Sequence, residues 1–482
     1  MNVNQRKAVS LLCGVLLLSP VTLFASDFPY LFTDPLRTLP AVVEKGAILP
    51  GDATPIPLSF QKSVLQPLSL ADAIDMSLSN NMKVRGAWAD IKVQAAAVGQ
   101  SYGAYLPEIK GSFSWATDSI HYSDPLYPSV NSESYASQGS VNLRIFDFGG
   151  RSAGRHAAEN LLSAALSTYD LTLQSVLSAV VQAYFDALTA DASLQAKIKD
   201  EEVSRNILKS SREREARGAT SQLDTLRAET ALAKASLDMN RALGSYQKSL
   251  VVLKYYLGVP GSVEVSLPSE LNDSPVGALE EKELTRWLED AQNSHPSIVA
   301  ARKQLEAARD QLVATKSIGL PTIDLTGNLY NNTRPGAAIT PGSRETTVTL
   351  GLTIPLFDGF VSTYKVRSAE ANIEKVESSL ADTQQQVAMG IIKSYADATS
   401  ALRNLDASAR LLKSAQNALD VSQRKYSRGA ADLSEVLSTQ SVLADAWNER
   451  VRTLAEWHSS RLLLLANAGK IGRSAVARFY EK

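Results

Sequence analysis

Proline is the residue a long helix tolerates least, and its distribution in this chain sets the architecture. None of the 19 prolines lies between Pro128 and Pro260, and none follows Pro355. An interior proline removes an amide donor and clashes with the preceding turn. Two proline-free stretches, each well over 100 residues, therefore predict very long helices.

The chain also repeats itself. Leu106-Pro107-Glu108-Ile109 returns as Leu320-Pro321-Thr322-Ile323, and Ile145-Phe146-Asp147-Phe148-Gly149 as Leu356-Phe357-Asp358-Gly359. Ala183-Tyr184-Phe185-Asp186-Ala187 returns as Ser394-Tyr395-Ala396-Asp397-Ala398, and Arg217-Gly218-Ala219 as Arg428-Gly429-Ala430. The last two pairs share an offset of 211 and the Leu-Pro pair sits at 214. Four matches in order at nearly one offset predict two tandem copies of a unit of roughly 200 residues.

Each copy has the same internal order. An alanine-rich helical segment, Leu70 to Gln100 or Leu284 to Thr315, runs up to the Leu-Pro pair. Two segments of period two follow. Ile109, Gly111, Phe113 and Trp115 alternate with Lys110, Ser112 and Ser114, and Tyr135 to Ile145 alternates likewise. In the second copy Ile323 to Leu329 and Thr346 to Ile354 repeat the pattern. One apolar and one polar face is a strand signature. A Phe-Asp-Gly turn then opens a helical pattern, with Leu162, Leu166, Tyr169, Leu173, Leu177, Val180, Tyr184 and Leu188 stepping by three or four. Nothing stops it before Arg217, nor its partner before Arg428. Each helix would be about 68 residues, near 100 Å long. Gly218 and Gly429 sit where glycine most easily reverses a chain. A second helix then runs back, Ser221 to Leu257 and Asp432 to Ala466.

The expected organisation is a signal peptide at 1–25, a proline-rich extended strap at 26–68, a first repeat at 69–258, a linker at 259–282, a second repeat at 283–470 and a tail at 471–482. The strands are expected near 107–118, 135–146, 321–330 and 345–355, and the tip turns at 217–220 and 428–431. Arg6 and Lys7 before the apolar run Val9 to Leu18 carry the signal reading. Beyond that run no apolar stretch of about 18 residues is apparent, so no membrane-spanning helix is expected.

Composition narrows the function. Lysine plus arginine (49) nearly equals aspartate plus glutamate (50), which argues against a nucleic-acid partner. A hydrophobic share of 44% excludes a disordered chain. The one cysteine, Cys13, lies in the leader, so no disulfide or thiolate metal site is expected. His121, His156, His295 and His458 are scattered without metal spacing. No phosphate loop or nucleophile elbow appears, so the chain is expected to be no enzyme and to need no cofactor or metal.

Four strands of about ten residues match tilted strands crossing an outer membrane. Four cannot close a barrel, and open edges are not tolerated in lipid. A very long helix likewise needs parallel neighbours to cover its apolar stripe. Both halves thus call for several copies of the chain, giving a ring of strands continued by a ring of helices. A coiled-coil scaffold without a pore is the alternative, but a stalk needs no duplicated amphipathic strands.

The whole mature chain resembles the TolC family of outer-membrane efflux and secretion channels. The residues that carry the resemblance are the Leu-Pro pairs, Phe146-Asp147-Phe148-Gly149-Gly150-Arg151, Pro355-Leu356-Phe357-Asp358-Gly359, and the turns Ala216-Arg217-Gly218-Ala219 and Tyr426-Ser427-Arg428-Gly429-Ala430. The resemblance implies an α+β membrane protein, a tandem repeat of long antiparallel helices and a β-hairpin. It implies a homotrimer in the outer-membrane lipid, with a twelve-stranded β-barrel continued by an α-helical periplasmic barrel. It also implies a periplasmic adaptor (membrane fusion) protein and an inner-membrane pump, driven by protons or ATP, as partners. The function implied is a passive duct for an efflux pump or a type I secretion system.

By the same resemblance the tunnel closes at its periplasmic tips. Six residues past the first tip glycine the family's gate aspartate falls on Asp224, and three before the second its tyrosine falls on Tyr426. The two constriction acids fall on Glu435 and Ser438, so one acid is lost. Ala431 stands where an arginine is expected, leaving Arg217 or Arg428 as candidates for the missing cation. Arg217, Gly218, Ala219, Arg428, Gly429 and Ala430 are the implied adaptor contacts.

Overall fold

The computed structural model describes residues 34–49, 52, 67–121, 123, 124, 126, 129–218, 220–268, 281–332, 343–428 and 430–472. The leader, most of the strap, much of the linker, most of the tail, and Ala219 and Gly429 lie outside the described residues. Among the described residues thirteen elements follow one another. Helices α1 (Ala41–Lys45), α2 (Leu70–Asn80) and α3 (Met82–Gly103) precede strands β1 (Glu108–Ile120) and β2 (Val130–Phe146). Helices α4 (Gly150–Ala216), α5 (Gln222–Leu257), α6 (Glu281–Ser294) and α7 (Pro296–Ser317) precede β3 (Thr322–Asn332) and β4 (Ser343–Thr353). Helices α8 (Val361–Ser427) and α9 (Leu433–Asn467) complete the described chain. The order is that of two tandem copies, and α4 and α8 are each 67 residues long.

The chain divides into two compact units. One comprises the described parts of Met1–Pro40, Lys92–Leu162 and Glu306–Ile373, the other those of Ala41–Ile91, Ser163–Leu305 and Glu374–Lys482.

The first unit contains the sheet, an antiparallel meander in the order β1-β2-β3-β4. Strand β2 of the first copy pairs with β3 of the second, so the sheet joins the repeats, and β1 and β4 form its two edges. The register aligns Val141 with Gly327, Leu143 with Leu325, and Leu325 with Leu350. These pairs carry one apolar face across the sheet, as the alternation predicts. Ile109, Phe113, Trp115, Val348, Leu350 and Leu352 on this face are exposed. Lys110, Asn142, Arg144, Asp324, Thr326 and Thr349 take the other face, where Arg144 Nε donates to Asp324 Oδ1 across β2 and β3 at 2.9 Å. A register shift between Arg144 and Phe146 ends β2. Strand β2 starts at Val130, before the apolar alternation begins, because pairing with β1 extends through Val130 and Ile120. Arg151 then clamps the strand end. Its Nη1 donates to the Arg144 carbonyl and its Nη2 to that of Ile145, while Asp147 holds its Nε.

The second unit is helical. Trp457, Tyr184, Phe185, Leu173, Leu177, Leu253, Leu257 and Ile298 are fully buried in it. The Tyr184 hydroxyl donates to the Leu68 carbonyl at 3.0 Å, and burial raises its ionisation above the ordinary phenol range. One part of α4 is long and apolar enough to cross a membrane by length and composition, contrary to the sequence expectation. Most of that segment is buried inside the structure, as in the core helix of a helical protein.

The first helical segment of each copy is not continuous, as periodicity alone suggests, but breaks at Asn81 and at His295. These positions are 214 apart, the offset of the Leu-Pro pair. Each break residue caps the following helix. Asn81 Oδ1 accepts the Lys83 amide and His295 Nδ1 accepts the Ser297 amide. Each break also receives the end of a later helix. Gly258, after α5, has φ +68, and a Cβ there would lie 2.8 Å from the Asn80 carbonyl oxygen. Its counterpart Gly469, after α9, has φ +72 and packs on His295 and Pro296. The strap is not wholly extended either, since α1 forms within it and buries Val43.

Candidate functional site at the helix tips

Four helices meet where the two long hairpins turn. Leu208 of α4, Ala228 of α5 and Leu433 of α9 form a buried cluster, against which Tyr426 of α8 packs. The first turn is built on Gly218, whose φ of +72 a side chain would resist. Gly218 N–H donates to the Glu215 carbonyl at 2.8 Å, closing α4. In the second turn Ala430 N–H reaches back to the Lys425 carbonyl at 2.9 Å. Arg217 and Arg428 are exposed beside these turns.

Each returning helix starts with a capped first turn. Ser221 Oγ accepts the Asp224 amide, and Asp432 Oδ1 accepts the Glu435 amide. Asp224 and Glu435 are therefore equivalent positions of the two copies, 211 apart. Their side chains behave differently. The hydroxyls of Thr220 and Ser221 both donate to Asp224 Oδ2, at 2.8 and 3.0 Å, and Arg227 lies 3.7 Å from Oδ1. Those donors, Thr220 foremost, hold the Asp224 carboxyl below the usual range. Glu435 has no such cradle: Lys425 Nζ lies 3.9 Å from its Oε1, and both side chains are about half exposed. Ser438 is exposed one turn further along α9.

The residue that the sequence did not point to is Arg214. Its guanidinium carbon lies 4.6 Å from the centre of the Tyr426 ring, and its Nη1 donates to the Tyr426 carbonyl at 3.4 Å. Neither Arg217 nor Arg428 takes this place; Arg217, just past the end of α4, lies 4.0 Å from Glu213 of that helix. The signal was available in the repeat, because Arg214 is equivalent to Lys425, the cation beside Glu435. The Tyr426 hydroxyl is buried and has no hydrogen-bond partner among the described residues. Beside the tips, Leu223, Leu226 and Arg227 of α5 and Ser434 and Leu437 of α9 line an open apolar groove, in which Leu223 and Leu226 are exposed.

Each copy is thus a β-hairpin followed by a hairpin of two long helices, the returning helix being capped at its tip. The Outer membrane efflux protein family model matches residues 73–259 and 287–470, one match for each copy. Protein CyaE of Bordetella pertussis is 32% identical over 448 residues, covering 92% of either chain. Outer membrane protein TolC of Escherichia coli is 22% identical, covering 81% of this chain and 80% of the relative. Among solved structures, the outer membrane protein VceC of Vibrio cholerae superposes with a TM-score of 0.70 at 17% identity, covering 83% of this chain and 96% of that one. The CmeC outer membrane channel of Campylobacter jejuni gives 0.72 at 19% identity, covering 89% and 94%.

The chain belongs to the outer membrane efflux protein family. It is an outer-membrane protein with a large periplasmic portion, and it acts as a duct for efflux or type I secretion.

Proposed function

We propose that three copies of this chain close one barrel in the outer membrane and continue it as a helical tunnel, forming a passive duct. The observation that carries the proposal is the sheet itself. Its four strands share one exposed apolar face, and β1 and β4 leave two edges open. Lipid offers no partner for the backbone groups of an open edge. Pairing β4 of one copy with β1 of the next satisfies both edges, and three copies give a twelve-stranded ring. Long α4 and α8 then find helical neighbours in adjacent copies.

In this reading the tips are the periplasmic gate. Asp224, Tyr426, Glu435 and Ser438 form its constriction, and the turns at Arg217, Gly218, Ala219, Arg428, Gly429 and Ala430 meet the periplasmic adaptor. The exposed groove at Leu223 and Leu226 supports a contact there with a helical partner. An inner-membrane pump, driven by protons or ATP, supplies the energy, as in the tripartite systems to which such channels belong. Detergent-extracted protein, sized by light scattering with detergent correction, should be trimeric. A stable monomer that retains its sheet would overturn the assembly.

A further inference from the structure

Within the helical unit, α4, α8 and α9 part around a cavity of about 650 Å³. Small residues leave the room: Ala192 and Ala196 of α4 and Ala444 of α9 all line it. Longer side chains at those positions would fill the gap, as they do in a close-packed interior.

The cavity is long and thin. Its lining runs along α9 from Gln440 to Leu454, about 21 Å of helix. Volume over length gives a mean cross-section of roughly 30 Å², the width of one hydrocarbon chain or of one ring edge-on. A partner helix about 10 Å across would use up that volume in roughly 8 Å of its length. The size belongs instead to pockets for small molecules, which span about 300–1,000 Å³.

The walls define the chemistry of an occupant. Leu412 of α8 and Leu443, Val451 and Leu454 of α9 make the cavity apolar, and Trp447 stands beside them 43% exposed. Three charged residues also line it. Asp200 is engaged, since its Oδ1 accepts Gln440 Nε2 at 2.7 Å. Arg450 is buried, and its Nη1 donates to the Ser408 hydroxyl at 3.2 Å. Arginine keeps its charge when buried. Lys199 is exposed and makes no ion pair among the described residues. Two cations and one carboxylate leave the lining net positive. Apolar walls strengthen the attraction of those cations for an anion.

We infer that this cavity is a binding site for a slender amphipathic anion, a carboxylate or sulfonate carried on a single chain or ring. Its apolar body lies along α9 between α4 and α8, and its anionic head meets Lys199 and Arg450. One copy of the chain builds the whole site, so the inference goes beyond the duct reading and does not rest on it.

The test uses full-length protein in detergent, with Trp447 as reporter. The probe is para-nitrocinnamate, whose nitro-aromatic ring quenches tryptophan fluorescence. Para-nitrocinnamyl alcohol and para-nitrocinnamylamine are its neutral and cationic counterparts. Partition into micelles quenches in proportion to concentration, whereas a site saturates. The expected result is saturable quenching by the carboxylate, with binding of the alcohol and the amine weaker by about tenfold or more, the worth of one charge-assisted contact. Trp447→Phe should remove the saturable component. Ala444→Leu, which fills the cavity, should abolish binding. Lys199→Gln, at an exposed position that does not threaten the fold, should weaken it several-fold. Equal saturation by all three probes would make the cavity an apolar contact surface and overturns the anion site. So does an absence of saturation in the wild type, or unchanged binding in both Ala444→Leu and Lys199→Gln. Light scattering on the same samples reads the assembly separately. A monomer that binds the carboxylate as described keeps the site and removes the duct.

Discussion

The Arg214 guanidinium covers the face of Tyr426 at 4.6 Å and also holds the Tyr426 carbonyl, tying the end of α4 to the end of α8. This contact joins the two tip hairpins within one copy of the chain. It puts a cation next to Tyr426, but from the opposite hairpin. A stacked guanidinium with a directed donor is not replaced by an ammonium. Arg214→Lys should therefore loosen the tips partly and Arg214→Ala fully. A cation–π contact of this kind is worth about 0.5–2 kcal/mol, so the open fraction in planar bilayers should rise several-fold for Arg214→Ala. Tyr426→Phe keeps the ring and removes a buried hydroxyl without a partner, so it should leave the open fraction unchanged. If Tyr426→Phe opens the channel as Arg214→Ala does, the hydroxyl has a partner in the assembly and the stacked arginine is not the latch.

Glu435 and Lys425 set a second expectation. In the proposed trimer, Glu435 carboxylates ringed around one axis would attract cations and give divalent ions oxygen ligands. Lys425, 3.9 Å away, offsets part of that charge in each copy. Glu435→Gln should lower cation selectivity and relieve divalent block, and Lys425→Gln should strengthen both. Asp224→Asn should do little to selectivity, because Asp224 is turned into its own helix cap. Reversal potentials in a salt gradient read all three. Unchanged selectivity in both Glu435→Gln and Lys425→Gln would leave Glu435 an ordinary surface residue.

Two glycines with the same backbone separate strain from crowding. At Gly218 an added Cβ meets nothing within 4 Å among the described residues, whereas at Gly258 it meets the Asn80 carbonyl oxygen at 2.8 Å. Gly218→Ala should cost only the left-handed penalty, about 1–2 kcal/mol. Gly258→Ala adds a backbone clash that cannot relax by rotating a side chain, and should cost about 1–3 kcal/mol more. Thermal unfolding in detergent should rank wild type, Gly218→Ala and Gly258→Ala in that order. Equal melting points for the two variants would mean that α2 yields around Asn80.

Why these features differ in how well they could be read follows from their physics. Strand faces and long helices write a period into the chain, since each apolar side chain must meet lipid or core at a fixed spacing. The break at Asn81 writes none, because the apolar spacing continues through α2 and α3. Only comparison with His295-Pro296, 214 residues on, makes it legible. The tip contact of Arg214 depends on how two distant hairpins pack, and arginine on a helix end is otherwise an ordinary solvated residue. The turns from strand to long helix are legible as Phe146-Asp147-Phe148-Gly149 and Phe357-Asp358-Gly359, but the left-handed backbone of Phe148 (φ +51) and Phe360 (φ +66) is a property of the turn and not of the residue.

The break at His295 carries a pH dependence that the break at Asn81 lacks. His295 is 5% exposed, and its Nδ1 accepts the Ser297 amide at 3.2 Å, which leaves the proton on Nε2 facing the Asn467 backbone. A second proton on Nδ1 would point a donor at a donor, at the positive end of α7. Burial adds the main penalty on the charged ring and lowers its pKa from the ordinary 6.5. The unfolded chain therefore takes up a proton near pH 6.5 that the folded chain refuses. The stability tied to neutral His295 is fully present above that pH and is lost as pH falls below it towards the lowered folded value, by at most about 1.4 kcal/mol per pH unit. His295→Asn should keep the cap, as Asn81 does in the first copy, and remove the titration. Denaturant midpoints between pH 8 and 5 should fall more steeply for the wild type than for His295→Asn. A constant difference between the two over that range would show that His295 does not titrate with folding.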